Sequence, residues 1–149
     1  MPRHLIALGV HLVWATKDRR PWLTEDIRRE LFAYMAGTVA KKRCRAIVIG
    51  GWEDHVHLYV HLSTGMSISH LVTTIKSGSA RWLKERGPAL RGFRWQRGFA
   101  AFGVDPRRDS GLKEYIESQE VIHREQDHER EIKRLASAFA LDRAEFAWD

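Results

Sequence analysis

Two histidines one residue apart, His55 and His57, are the first residues in this sequence whose types and spacing could do chemistry. In an extended strand, residues i and i+2 face the same way with α-carbons roughly 6–7 Å apart, so both imidazoles can reach one metal ion. The same pair also arises on any polar outward strand face, and taken alone it allows either reading. Further along, Tyr115 and Gln119 stand four positions apart. On a helix, that spacing puts a phenol and an amide on one face, about 5–6 Å apart. Should that helix cross the histidine face, Gln119 would become a third ligand and Tyr115 would stand beside the metal. Each residue alone also has an ordinary reading: an aromatic anchoring an amphipathic helix, and a surface amide. The third feature is a basic stretch in which Lys76, Arg81, Lys84, Arg86, Arg91, Arg94 and Arg97 alternate with Trp82, Phe93 and Trp95. Cations suit phosphates and flat rings suit unpaired bases, each stacked base contributing about 1–3 kcal/mol. Trp82 and Trp95 fit a core equally well. Lys17, Arg19 and Arg20, and the cluster from Lys41 to Arg45, could extend the same electrostatic track.

The elements that must position these residues follow from periodicity. Leu5 to Thr16 reads as a strand and Lys17 to Leu23 as a turn. Thr24 is the expected N-cap of a helix with Glu25 and Asp26 in its first turn. Ile27, Leu31, Met35 and Val39 recur at helical spacing, and Arg45 to Gly51 is a β-branched apolar run. From His55 to Leu62 the pattern has period two. Val56, Leu58, Val60 and Leu62 face one way, and His55, His57, Tyr59 and His61 face the other. Ser67 is the expected cap of a helix striped with Ile68, Leu71, Val72, Ile75 and Leu83, which Gly87 and Pro88 end. Phe93 to Val104 reads as a fourth strand. A helix over about 109–128 carries Tyr115 and Gln119, and a tail helix spans about 129–140. The order β-α-β-β-α-β with extra C-terminal helices predicts an α+β, ferredoxin-like antiparallel sheet with two helices on one face. The other face then needs a cover or a ligand, and the histidines lie on it.

Composition narrows the partners. The 149 residues read as one domain spanning 1–149. No apolar run approaches the ~20 residues that a membrane crossing requires. Leu5 to Ala15 could pass for a secretion-signal core, but His11 and Trp14 interrupt it and Lys17-Asp18-Arg19-Arg20 follows. The single cysteine, Cys44, excludes an internal disulfide and fits a reducing cytoplasm. The net charge of +6 and pI ≈ 9.8 point to a polyanionic partner. That charge is uneven: 19 Lys and Arg against 8 Asp and Glu over 1–108, but 6 against 11 over 109–149.

Several ordered blocks resemble the small single-tyrosine HUH transposases of bacterial insertion sequences, the superfamily of the REP-associated tyrosine transposases. His11-Leu12-Val13-Trp14-Ala15-Thr16-Lys17-Asp18-Arg19-Arg20 matches the family's opening pattern, and Asp54 to Leu58 matches its Asp-His-Val-His-Leu block. Lys76 to Arg81, Trp95-Gln96-Arg97-Gly98-Phe99 and Tyr115-Ile116-Glu117-Ser118-Gln119-Glu120 follow in order. The sequence departs from the pattern at Ser118 (usually Asn), at Ile122-His123 (usually His-His) and at Phe99 (usually Tyr). The resemblance implies that Tyr115 is the nucleophile and that His55, His57 and Gln119 ligate Mg²⁺ or Mn²⁺. It also implies that single-stranded DNA with hairpins is cut and rejoined through a 5′-phosphotyrosine. Lys17, Arg19, Arg20, Lys76, Arg81, Arg94, Trp95 and Arg97 are the DNA-binding candidates. A homodimer is implied as well, with the tyrosine helix able to act in trans and Gly111 as its hinge. A binding-only hairpin protein of the same fold is the alternative. A phosphoesterase with paired histidine motifs would need a second His-x-Ser/Thr or His-x-His element on another strand, and none is present.

Overall fold

The alternating segments become four strands, β1 (Gly9–Ala15), β2 (Arg45–Gly51), β3 (His55–His61) and β4 (Ala100–Val104), in a computed structural model that describes residues 5–125 and 128–138. They form one antiparallel sheet in the order β2-β3-β1-β4. The helices are α1 (Glu25–Lys41), α2 (Ile68–Lys84), α3 (Asp109–Glu117), α4 (Gln119–Glu125) and α5 (His128–Ala138). This is a ferredoxin-like fold with added C-terminal helices.

Period-two alternation sorts the side chains of β1 and β3. Val10, Leu12 and Trp14 with Val56, Leu58 and Val60 join Leu31, Met35 and Val39 of α1 and Leu71, Val72, Ile75 and Leu83 of α2 in the main core. Ser67 caps α2 as its chemistry predicts, its hydroxyl accepting from the His70 N–H at 3.0 Å. Thr24 is the N-cap of α1, but its side chain makes no capping bond.

Three expected boundaries are corrected. Residues 5–8 are exposed and lie outside β1, which begins at Gly9 where pairing with both β3 and β4 becomes available. The fourth strand is only Ala100–Val104 rather than Phe93 to Val104. Phe93 turns into the core, Trp95 makes an isolated bridge to Thr16, and Gly98 adopts φ 83°, which breaks the extended run. The helix expected over 109–128 is interrupted at Ser118, whose φ and ψ are −94° and 13°. Its hydroxyl donates to the Glu114 carbonyl at 2.7 Å, the back-bonding that competes with helix continuation. The end of the expected tail helix, 139–140, lies outside the described residues.

Candidate active site

On the second sheet face, β1 and β3 present His11, Val13, His55 and His57. Helices α3 and α5 close over them. The close approach of α3 requires a glycine: a β-carbon on Gly50 of β2 would sit 2.8 Å from Ile116 Cγ2 and would also strike the Ile116 carbonyl. Ile116 is buried there, which turns its neighbour Tyr115 toward the imidazoles. The Tyr115 ring meets His57 edge-on at a centroid distance of 5.6 Å, and His11 at 6.2 Å. One chain therefore supplies both the phenol and the histidine pair.

Gln119 opens α4 immediately after the break, and its amide stays with Tyr115. Its Nε2–H donates to the Tyr115 carbonyl at 3.4 Å, while Oε1 lies 3.1 Å from His55 Nε2 and 2.9 Å from His123 Nε2. Thus Tyr115, His55, His57 and Gln119 are brought to one place. The β2–β3 turn is tied down: the Thr16 N–H donates to the Asp54 carbonyl at 2.8 Å, and the Leu23 N–H to that of Glu53 at 3.0 Å. The Asp54 carboxylate consequently reaches His55 Nδ1 at 2.7 Å.

Glu131 of α5 is a member of the site that the sequence did not reveal. Its side chain is wholly buried, and its carboxylate contacts His57 Nε2 and His123 Nε2, with His55 Nε2 at 3.8 Å. Donor atoms of His55, His57 and Glu131 all lie within 4.8 Å of one another. Two imidazole nitrogens, a carboxylate and the Gln119 oxygen, all buried, form a donor set suited to a divalent cation such as Mn²⁺ or Mg²⁺. His11, Asp54 and His123 were also missed. Strand alternation from Val13 would have found His11, and the i, i+4 spacing from Gln119 would have found His123. Nothing local marks Glu131, one of 11 acidic residues after Arg108.

The electrostatics follow from burial. Burial, then the nearby His57, lower the His11 pKa to about 3. Burial likewise brings His57 down to about 4, against the pull of Glu131. Burial alone would raise the Glu131 carboxyl, but its bonds to His123 and His57 and the electrostatic pull of His57 and His55 outweigh this and keep it ionised. The Tyr115 phenol is pushed well above its ordinary value, first by burial and then by the negative charge of Glu131. No described residue meets its hydroxyl in good hydrogen-bonding geometry, although Glu131, Gln119 and Arg134 lie near enough to act on it.

The DNA-binding candidates lie elsewhere. Lys17, Arg19 and Arg20 occupy the turn after β1, with Arg19 and Arg20 exposed and Arg19 near enough for its charge to stabilise the Asp54 carboxylate. Arg94 and Arg97 are exposed in the loop before β4, and Arg81 on α2, in the helical layer behind the sheet. Lys76 donates to the carbonyls of Gln96 at 2.7 Å and Gly98 at 2.9 Å, holding that loop to α2. Trp95 is half-buried, packs edge-on against Trp14, and donates from Nε1 to Ser79 Oγ at 3.0 Å.

A buried histidine pair facing a tyrosine and glutamine from a C-terminal helix, on a ferredoxin-like sheet, agrees with the family comparison. The family model described as Transposase IS200 like matches residues 5–119, and the chain belongs to that family. It is 26% identical over 121 residues to the ISDra2 transposase TnpA of Deinococcus radiodurans, covering 78% of this chain and 86% of that protein. Among solved structures, it resembles a candidate transposase from Deinococcus radiodurans R1 with a TM-score of 0.63 at 22% identity, over 80% of this chain and 95% of that one. A REP-associated tyrosine transposase bound to a REP hairpin superposes with a TM-score of 0.62 at 16% identity, over 83% and 73% of the two chains. His123 and Glu131 both lie beyond the matched segment, which ends at Gln119.

Proposed function

We propose that this chain cuts and rejoins single-stranded DNA at hairpin-marked ends, with Tyr115 as the nucleophile and His55, His57, Gln119 and Glu131 as holders of Mg²⁺ or Mn²⁺. The observation that carries the reading is the convergence of the Tyr115 phenol and the Gln119 amide, one helical turn apart, on the buried His55–His57 pair. In the proposed reaction, the Tyr115 oxygen forms a bond to the scissile phosphorus as the bond to the 3′-oxygen breaks. The phenol gives up its proton and the departing oxygen acquires one. The phosphotyrosine conserves the phosphodiester, so a 3′-hydroxyl can reverse the step without a nucleotide cofactor. A bound divalent cation would supply positive charge to the phosphate and to the leaving oxygen. Asp54 holds His55 by Nδ1, leaving Nε2 turned inward, and Glu131 adds the negative charge that a divalent ion would neutralise. The basic residues over 1–108 supply attraction for the DNA backbone. The same reading makes the chain one domain working in the cytoplasm as a homodimer.

The test is incubation with hairpin-bearing single-stranded oligonucleotides, with and without Mn²⁺, followed by denaturing electrophoresis. A cation-dependent covalent protein–DNA band is expected, absent in Tyr115→Phe and much weakened in His57→Ala. A band that survives Tyr115→Phe would remove the nucleophile assignment. Hairpin binding with no band under any condition would favour the binding-only reading.

A further inference from the structure

His11 stands outside the donor set, yet it touches it. Its Nε2 lies 2.8 Å from His57 Nδ1, the two rings meeting edge to edge with centroids 5.1 Å apart and planes 26° apart. Pairing of β1 with β4 sets His11 opposite Phe102, and the Phe102 and Tyr115 rings flank it at 6.0 and 6.2 Å. Only 3% of it is exposed. A ring this closely held on the edge of another imidazole controls the rotation of that imidazole.

We propose that His11 is the positioning residue for His57, holding its ring by Nδ1 so that Nε2 stays aimed at the cation. The proposal rests on the reading of His57 as a ligand. What distinguishes the arrangement is the comparison with His55, which Asp54 holds instead. A carboxylate only accepts, so Asp54 keeps the His55 proton on Nδ1 whether or not a cation is present. An imidazole can accept or donate at the same nitrogen according to its tautomer. In the present structure His57 Nε2 meets the Glu131 carboxylate. With its proton there, His57 Nδ1 accepts from the His11 Nε2–H. When Nε2 offers its lone pair to a cation, the proton sits on Nδ1 and donates to His11. His11 serves both states without losing the bond, which makes His57 the ligand whose tautomer follows occupancy. Partners of this kind, one step behind the ligands, orient the ring, and their loss costs about 10–100-fold in metal affinity.

Titration calorimetry of the full chain with Mn²⁺, without DNA, tests this. His11→Leu should weaken Mn²⁺ binding about 10–100-fold. His11→Gln should bind within about threefold of the parent, because its amide can turn either its oxygen or its N–H to His57 Nδ1. Nitrogen-15 spectra of the parent should show the His57 proton on Nε2 in the metal-free protein and on Nδ1 at saturating Mg²⁺. The proposal is overturned if folded His11→Leu binds Mn²⁺ as the parent does, or if His11→Gln binds as weakly as His11→Leu. A His57 proton that stays on one nitrogen in both spectra overturns it too, and needs no variant to fold. A parent chain that binds no Mn²⁺ would remove the ligand reading itself. Indifference to His11 alongside binding abolished by His55→Ala would remove only this proposal.

Discussion

The two faces of the sheet are built from the same two central strands and are almost equally dry, yet they do opposite work. Leu12, Leu58, Val56 and Val60 are wholly buried against α1 and α2; His55 and His57 are wholly buried against α3 and α5. Among the described residues, the helical face gathers 18 buried side chains into one core, whereas the apolar cluster on the other face has four, Val13, Ala100, Phe102 and Ile132. Burial therefore does not separate a stabilising face from a chemical one. The separation lies in what the buried atoms need. Carbon in the first face needs only neighbours, while each imidazole, amide and carboxylate in the second must find a partner or cost stability. The first face holds the second in register, and among the described residues none meets the Tyr115 hydroxyl in good hydrogen-bonding geometry, at the point where a substrate would supply a partner.

Changes confined to one face should therefore separate reactivity from stability. The largest effect belongs to Tyr115→Phe, expected to reduce covalent adduct by about three orders of magnitude or more. Because no described residue meets the deleted hydroxyl in good hydrogen-bonding geometry, urea unfolding should show stability unchanged within about 1 kcal/mol or slightly raised. A large loss of stability would instead make Tyr115 a structural anchor. Leu58→Ala should do the reverse, costing about 2–5 kcal/mol in the same unfolding experiment. Adduct formation per folded molecule should stay within about twofold, and a collapse of that figure would mean that the faces are not independent.

Acid should attack the chemical face first. Unfolded histidines take up protons near pH 6.5, but in the folded, metal-free chain His57 does so only near 4 and His11 near 3. Stability is thus fully present above pH 6.5 and is lost as pH falls from there toward 4, by about 1–3 kcal/mol per group. The lowered Glu131 carboxyl adds a further loss below its ordinary value near 4.5. Urea midpoints in chelator between pH 7 and 4 should trace this decline, and His57→Leu should flatten it. A flat parent profile would mean that burial does not hold these imidazoles neutral. The smallest effect is expected from Arg97→Ala, exposed and remote from the core. Single-stranded DNA affinity should fall a few-fold, with the salt slope reduced by about 0.7 for each phosphate that the protein no longer neutralises. An unchanged slope would take Arg97 out of the DNA path.

Periodicity made the β-α-β-β-α-β order legible, because alternation and helical stripes are written in local spacing. His55 and His57 could be read as a pair for the same reason, and Tyr115 with Gln119 because they remain one turn apart even across the break at Ser118. The bounds of the fourth strand escaped that reading. Apolar residues over 93–99 look the same whether they pair in a sheet or fold into a core, and Gly98 decided between the two.

Sequence alone determined the order of strands and helices, the two-sided character of the central strands, and His55, His57 and Gln119 as candidate donors to a cation. Tertiary structure alone decided that Gly50 admits α3 onto the histidines, that His11 reaches His57 across β1, and that α5 carries Glu131 among three imidazoles. The physical reason is range. Dihedral preference and side-chain spacing act over a few residues, while pairings 46 to 76 positions apart exist only once packing has chosen how the helices close over the sheet.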